Sequence, residues 1–144
     1  MVDLSQKKHT AWETVLLALA KRPGVTMFLG ASDTGKTTCL RAAAAHLARA
    51  GLLPLAIVDA DIGQSTIGPP TTVGLTLVTK DNLPALLAGK LVCHAMRFIG
   101  ALSPVGHLLQ TIVATKMLVD KALRRGARAV LVDTTGLVGQ NVGF

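Results

Sequence analysis

The sequence predicts an α/β fold in which a mainly parallel β-sheet is flanked by helices. Short apolar runs alternate with longer amphipathic or alanine-rich segments along the 144 residues, which is the pattern of such a sheet. Half of the residues are hydrophobic and the mean hydropathy is +0.50. These values are expected for strands that helices cover on both faces. The length fits one domain, so we expect residues 1–144 to form a single core that opens with an N-terminal helix within residues 1–22.

The first half of the chain alternates helix, strand, helix and strand. Thr10–Lys21 is amphipathic and stops before a Pro-Gly pair, which indicates a short helix. Val25–Leu29 is a short apolar run of the kind that forms buried strands. Lys36–Ala50 is rich in alanine, the residue with the highest helix propensity, and Gly51 is its predicted stop. Leu55–Asp59 is predicted to be a second buried strand.

The second half begins with a loop and returns to the same alternation. Residues 62–74, IGQSTIGPPTTVG, contain the Gly and Pro residues typical of loops. A short strand is predicted at Thr76–Thr79, a short helix at residues 82–90, a strand at Leu91–Ile99, a long helix at Gly106–Arg125 and a strand at Ala129–Val132. Because such sheets bind ligands beyond the carboxyl ends of their strands, we expect the polar residues that follow these strands to share one site.

A glycine loop between the first strand and the second helix predicts a site for the phosphates of a nucleotide. Gly30, Gly35, Lys36 and Thr37 satisfy the pattern G-x-x-x-x-G-K-[ST]. Glycines let backbone N–H groups turn toward an anion, and the following helix adds its positive N-terminal dipole. Lys36 is expected to reach the β- and γ-phosphates, and Thr37 to bind Mg²⁺. The predicted phosphate cradle is residues 30–38: Gly30, Ala31, Ser32, Asp33, Thr34, Gly35, Lys36, Thr37 and Thr38.

Acidic residues follow two of the predicted strands and a third lies inside the cradle. Asp61 and Gln64 stand after the second strand, where Asp61 is a candidate Mg²⁺ ligand and Gln64 a candidate for orienting a nucleophile. Asp59 has two interpretations, a second site carboxylate or a structural acid. Asp133 is either another carboxylate on the Mg²⁺ side or a group that satisfies the backbone at a strand end. Asp33 is either a turn residue or a hydrogen-bond partner for an acceptor hydroxyl.

Composition narrows the possible partners. The chain has 15 Lys and Arg against 8 Asp and Glu, a net charge of +7, which favours polyanions such as nucleic acid and equally serves solubility. One Trp, three Phe and no Tyr offer few rings for stacking bases. The two Cys and four His show no metal-ligand spacing. The first ten residues contain no apolar signal core and the longest apolar stretch is interrupted by polar side chains, so the prediction is a cytoplasmic protein without a membrane span.

Four segments together resemble a known family. GASDTGKTT, DADIGQSTIGPPTTVGL, FIGALSPVGHLL and VDTTGLVGQNVG, in this order, resemble the P-loop NTPase core of the polynucleotide 5′-hydroxyl kinases. That family includes a kinase subunit of the eukaryotic pre-mRNA cleavage machinery and kinases of ribosomal-RNA processing. The resemblance runs from Val25 to Phe144 and implies transfer of the γ-phosphate of ATP, or of another NTP, with Mg²⁺, to the 5′-hydroxyl of RNA or DNA.

The resemblance also implies roles for individual residues. Lys36 and Thr37 would hold the phosphates and Mg²⁺, Asp61 would activate the 5′-hydroxyl, and Gln64 would support it. The segment that grips the substrate strand in the family, its clasp, matches Thr134, Thr135, Gly136 and Leu137.

Two departures from the family pattern stand out. Eukaryotic members of the cleavage machinery carry a Trp where this chain has Leu137, so a weaker contact with the substrate base is expected. The family also has an arginine-bearing lid after the clasp, and lid arginines stabilise transition-state charge. Because this chain ends at Phe144, the expectation is a kinase core truncated before the lid, which puts turnover by the isolated chain in question.

Three other functions remain open from the residues alone. A switch ATPase or GTPase also carries a strand-end carboxylate followed by Gln, although such proteins typically have a second lysine where this chain has Ala31. A non-catalytic nucleotide-binding module of an assembly would keep the cradle without the chemistry. A small-molecule kinase would differ in taking a nucleoside rather than an oligonucleotide.

Overall fold

The computed structural model describes residues 4–136, with their side chains from residue 12 onward. Within this range the chain forms four helices and five strands. In chain order they are α1 (Leu4–Lys21), β1 (Val25–Phe28), α2 (Lys36–Arg49), β2 (Leu55–Ala60), β3 (Thr72–Val78), α3 (Leu83–Leu87), β4 (Ala95–Phe98), α4 (Leu108–Arg124) and β5 (Ala129–Thr134). The predicted α/β architecture is confirmed.

The five strands form one mixed sheet in the order β1-β5-β2-β3-β4. β5 lies between β1 and β2 and runs parallel to both. β3 is antiparallel to β2 and to β4, so β4 points the same way as β2. The four strands predicted to share one direction therefore do so, and their carboxyl ends lie along one edge of the sheet.

The region around β3 differs most from the sequence prediction. β3 is a seven-residue strand that begins at Thr72, whereas the prediction was a loop over residues 62–74 and a short strand at Thr76–Thr79. The turn ends at Thr71, and the following TVGLTLV is buried except at half-buried Leu77. Gly74, which read as a loop glycine, sits in the strand because the backbone of Ile67 crosses directly above it, where a Cβ would collide.

Three other predicted boundaries shift. β4 covers Ala95–Phe98 rather than Leu91–Ile99, and a side chain enters the pairing just before it, since the His94 ring nitrogen Nδ1 accepts the N–H of Leu77 at 3.2 Å. Helix α1 begins at Leu4 rather than Thr10, because the polar residues before Thr10 continue the helical turn. Helix α3 ends at Leu87, three residues before the predicted end. The other ends agree with the prediction within two residues, a range in which helix ends are loosely defined.

Two apolar layers hold the helices on the sheet. On one face, Leu40, Ala44 and Leu47 of α2 pack with Ile57 and Leu131. On the other face, Ala114, Leu118 and Ala122 of α4 pack with Val58 and Val130. Every residue of β2 is buried, as expected for a central strand covered on both faces. This packing fixes the first turn of α2 at the carboxyl edge of the sheet.

An apolar groove of about 570 Å³ lies between α4 and the edge strand β1. Its walls include Val25, Met27 and Ile112, which are 52 %, 52 % and 62 % exposed. Among residues 4–136, no helix combines the length and apolar character that a bilayer crossing requires.

Candidate active site at the carboxyl edge of the sheet

The phosphate cradle forms the turn between β1 and α2. Gly35 precedes the first helical residue with φ of 84°, a left-handed conformation that costs glycine nothing. Asp33 is also left-handed, with φ of 59°, which its short polar side chain tolerates better than most. Gly30 packs close to the Thr34 hydroxyl, since a Cβ there would come within 2.9 Å of it. The loop backbone thus curls ahead of the N-terminus of α2, the geometry that attracts anions.

The Lys36 side chain folds back over this loop. Its Nζ donates to the Ala31 carbonyl at 2.7 Å, and the Thr34 hydroxyl donates to the same carbonyl at 2.8 Å. The ammonium group is therefore held against the loop backbone and lies at the surface of the cradle.

Thr37 connects the cradle to β5. Its Oγ1 donates to Oδ2 of Asp133 at 2.7 Å, across 96 residues of sequence. Asp133 is 5 % exposed, and its other oxygen, Oδ1, is buried without a hydrogen-bond partner among the described residues. Hydroxyl and carboxylate oxygens are the donors that Mg²⁺ prefers. An unsatisfied buried carboxylate oxygen beside the Thr37 hydroxyl therefore fits a magnesium–water shell.

Residues 61–71, here called the acceptor loop, connect β2 to β3 and begin with Asp61. Its Oδ1 accepts the N–H groups of Gly63 at 3.3 Å and of Gln64 at 3.1 Å. None of its hydrogen bonds within the described residues uses Oδ2. The first turn of the loop thus fixes the carboxylate by one oxygen and leaves the other available.

Asp59, two residues earlier, ties the acceptor loop down. Its Oδ2 accepts the N–H groups of Thr66 at 2.6 Å and Ile67 at 3.1 Å, while its Oδ1 accepts the N–H of Asp61 at 3.0 Å. Burial raises the pKa of this carboxyl, the hydrogen bonds from Thr66 and Asp61 partly offset that rise, and the nearby charge of Asp133 adds to it. Of the two interpretations left open by the sequence, the structural acid describes these contacts.

One polar cavity of about 320 Å³ joins the cradle to the acceptor loop. Its walls contain Ser32, Asp33, Gly35, Lys36, Thr37, Thr38, Asp61, Gln64 and Gly136. We call it the cradle cavity. The predicted residues of the phosphate cradle and those that follow β2, Asp61 and Gln64, thus line one space.

The remaining predicted site residues lie around this cavity rather than on its wall. Ala31 supplies its carbonyl to Lys36, and Gly30 and Thr34 face a neighbouring pocket on the α1 side. Thr134 and Thr135 line the apolar groove. Leu137 lies outside the described residues.

The start of the predicted clasp touches the cradle directly. Thr134 Oγ1 donates to the Phe28 carbonyl at 2.6 Å, which links the end of β5 to the end of β1. A Cβ on Gly136 would collide with the backbone and side chain of Ser32. Only glycine fits this approach, so the chain after β5 closes one side of the cradle cavity.

Sequence reasoning missed two contacts that shape the site. The first is the Thr37–Asp133 hydrogen bond, which forms because β5 lies beside β1. The polar residues at the end of β5 indicated a site residue there, but not its partner. The segment 100–107 supports the acceptor loop from outside, because a Cβ on Gly63 would come within 2.7 Å of the Leu102 carbonyl. No local pattern in the sequence signals that contact.

Comparison with known proteins places the chain in a family. Residues 30–143 match the family model described as mRNA cleavage and polyadenylation factor CLP1 P-loop. The polyribonucleotide 5′-hydroxyl-kinase of Pyrococcus furiosus is 38 % identical over 136 residues, which cover 94 % of this chain and 36 % of that protein. The polyribonucleotide 5′-hydroxyl-kinase of Methanocaldococcus jannaschii is 35 % identical over 119 residues, 83 % of this chain and 32 % of that protein.

A eukaryotic relative matches a shorter part of the chain. The CLP1 homolog of Brugia malayi is 35 % identical over 77 residues, 54 % of this chain and 18 % of that protein. The chain spans about a third of the length of the archaeal relatives that it matches. The matched region contains the cradle, the acceptor loop and β5, and the resemblance predicted from the four sequence segments is confirmed. The chain therefore belongs to the CLP1 P-loop family.

Proposed function

We propose that this chain is the core of a polynucleotide kinase, which transfers the γ-phosphate of ATP or another NTP to the 5′-hydroxyl of RNA or DNA. The observation that carries the proposal is the cradle cavity, because Asp61 and Gln64 line the same space as Lys36 and Thr37. The names of the archaeal relatives, polyribonucleotide 5′-hydroxyl-kinases, support the same reaction.

The donor side holds the triphosphate. Backbone N–H groups of the cradle and the N-terminus of α2 face the phosphates, and Lys36 neutralises charge on the β- and γ-phosphates once it leaves the Ala31 carbonyl. Thr37, Asp133 and Asp61 are the residues that would hold Mg²⁺, directly or through water. The ion would supply neutralisation of the charge that develops on the phosphate oxygens.

The acceptor side supplies the nucleophile. The 5′-oxygen attacks the γ-phosphorus as the bond to the β–γ bridging oxygen breaks, and Asp61 Oδ2 takes the hydroxyl proton. Asp61 suits this role because its other oxygen is already held by Gly63 and Gln64. The Asp33 and Gln64 side chains line the cavity where the hydroxyl would enter. Gly136 lines it too, and with Thr134, Thr135 and Leu137 it forms the proposed clasp on the substrate strand.

The test compares two aspartates in the full-length protein. Asp61→Asn should keep ATP binding and lower phosphate transfer to a 5′-hydroxyl oligonucleotide by about 100-fold or more, because an amide cannot accept the proton or hold Mg²⁺ as well. Asp120→Asn is the control, since the one described partner of Asp120 is Lys116, at 2.6 Å on the exposed surface of α4. It should leave binding and transfer unchanged.

The products decide between transfer and hydrolysis. Appearance of 5′-phosphate on RNA or DNA acceptors supports the kinase. If ATP is consumed and only free phosphate appears, across acceptors of several lengths, the kinase proposal is wrong and the site is that of a switch ATPase.

A further inference from the structure

A further pocket adjoins the cradle on the side of helix α1. It has a volume of about 460 Å³ and lies between α1 and the edge strand β1. We call it the α1 pocket. Its apolar walls include Trp12 and Val15 of α1, together with Met27 and Leu29. Gly35 and Lys36 line both this pocket and the cradle cavity, so the two spaces adjoin at the start of α2.

We propose that the α1 pocket receives the base and ribose of the donor nucleotide, with the Trp12 indole against the base. This inference rests on the proposed function, because it assumes that the cradle holds the phosphates of that nucleotide. It adds a nucleoside site and assigns it to helix α1.

The order of strands across the sheet supports this placement. The sheet runs β1-β5-β2 across the site. The α1 pocket stands on the β1 side of the cradle, and Asp61 stands at the end of β2 on the other side. In-line phosphoryl transfer needs the leaving group and the nucleophile on opposite sides of the phosphorus. A nucleoside in the α1 pocket and a hydroxyl at Asp61 meet that requirement.

The size and lining of the pocket also suit a nucleoside. Its volume falls within the range of small-molecule pockets, which are mostly apolar with a few polar groups. Trp12 is 37 % exposed and Leu29 68 % exposed, so an indole ring and an aliphatic side chain remain available for contact. Aromatic side chains stack on every base because each base has a π-face. The larger apolar groove beside α4 is a poorer candidate, since no residue of the cradle lines it.

The lining predicts weak selection among bases. Thr26, Thr34 and Cys39 are the hydroxyl and thiol groups on its wall, and the Thr34 hydroxyl is already bonded to Ala31. A pocket that binds by stacking and apolar contact does not strongly reject a related base. We therefore expect ATP and GTP to bind with affinities within about 10-fold of each other.

The chain offers a direct probe of this site, because Trp12 is its only tryptophan and it has no tyrosine. Mg²⁺–ATP is expected to change the Trp12 fluorescence, whereas Mg²⁺–tripolyphosphate, which lacks base and ribose, should bind the cradle without that change. By calorimetry, Trp12→Ala should weaken ATP binding by about 5- to 150-fold, the range for loss of one stacked base. It should leave tripolyphosphate binding unchanged.

Two further variants separate stacking from folding. Trp12→Phe keeps a ring and should restore most of the ATP affinity that Trp12→Ala loses. Leu17→Ala removes an exposed apolar side chain of the same helix that does not line the pocket, and should change neither affinity.

Each contrary result has a distinct meaning. Equal affinities for ATP and tripolyphosphate with unchanged fluorescence overturn the nucleoside site and leave the proposed function standing. The same holds if Trp12→Ala binds ATP as tightly as the unmodified protein. If neither ligand binds, the cradle assignment fails and the inference fails with it.

Discussion

Asp59 and Asp133 occupy equivalent positions on neighbouring parallel strands and have opposite surroundings. They are direct partners in the β2–β5 register, and they are 2 % and 5 % exposed. Asp59 is surrounded by donors of its own loop, with three backbone N–H groups and the Thr66 hydroxyl bonded to its two oxygens. Asp133 accepts one hydrogen bond, from Thr37, and its Oδ1 is unsatisfied within the described residues.

The difference shows that the strand-end position alone does not assign a role to an acid. A buried carboxylate satisfied by its own chain organises that chain, whereas one with an oxygen left over is placed to bind something from outside. Both aspartates follow a valine at the end of an apolar run, so their immediate sequence does not separate them. What separates them is the next segment: an eleven-residue loop returns over Asp59, while the chain after Asp133 leads directly to Ser32.

Removing each carboxylate should affect folding stability very differently, and this is the largest expected effect. Asp59→Ala leaves the buried N–H of Ile67 and its neighbours without an acceptor, so it should lower the free energy of unfolding by about 2–4 kcal/mol. Asp133→Ala removes an unsatisfied buried carboxylate and should change stability by less than about 1 kcal/mol. Urea unfolding of both variants measures the difference, and equal losses would contradict the comparison.

For ligand affinity we expect the opposite order, with the larger effect at Asp133. Asp133→Asn should weaken Mg²⁺-dependent ATP binding by about 10- to 100-fold, the usual cost of removing a group that orients a metal ligand. Asp59→Asn, which lies behind the acceptor loop, should alter the same affinity only a few-fold. Calorimetric titrations with Mg²⁺ and with EDTA supply the measurement. Equal losses in both variants, or a loss at Asp133 that persists without Mg²⁺, would disprove the assignment.

A tightly packed glycine follows each aspartate, Gly63 after Asp59 and Gly136 after Asp133, and substituting each one tests the two regions separately. Gly136→Ala would push Ser32 out of the cradle, so ATP should bind about 10-fold more weakly, in line with the 1–3 kcal/mol typical of overpacking. Gly63→Ala would press on the Leu102 carbonyl and shift the acceptor loop. It should lower transfer while leaving ATP affinity unchanged. Calorimetry measures the ATP affinity of both variants, and single-turnover assays measure their rate of phosphate transfer. A loss of ATP affinity in Gly63→Ala would contradict the separation of the nucleotide site from the acceptor loop.

The smallest expected effect is the pH dependence of stability that Asp59 contributes. Because burial raises its pKa above the ordinary 3.8, the folded protein holds this proton more tightly than the unfolded chain does. The stability contributed by Asp59 should therefore fall as the pH rises from below 3.8 through the raised pKa, and stay constant above it. Subtracting the unfolding free energy of Asp59→Asn from that of the unmodified protein at each pH isolates this curve. A difference that grows with pH would show that the pKa is lowered instead.

Sequence alone predicted those parts of the molecule that depend on local pattern. The strand, glycine loop and alanine-rich helix around Lys36 were predicted almost to the residue, because apolar runs, glycines and helix propensity act over a few residues. Asp61 and Gln64 were predicted as site residues because they follow a buried strand, and they do line the cradle cavity. Their catalytic roles remain predictions.

The parts that sequence did not predict depend on distant segments. The first residues of β3, Thr72–Gly74, were mistaken for a loop because they follow two prolines, whereas burial between β2 and β4 decides their conformation. The Thr37–Asp133 bond could not be predicted without the strand order, since β5 comes last in sequence among the five described strands and second in the sheet. Trp12 also gave no local signal, because its surroundings come from β1 and the cradle.

The position of β5 between β1 and β2 has a consequence for how the molecule folds. The bonds between Asp59 and its loop span at most eight residues, whereas those from β5 to Thr37 and Phe28 span 96 and 106. Closing a longer segment of chain costs more entropy, and local contacts tend to form before distant ones. The acceptor loop should therefore be ordered in partly folded chains in which the cradle is still incomplete. A nucleotide that binds only after β5 is inserted shifts the population toward the finished sheet by mass action, so the phosphate donor would also act as a folding ligand.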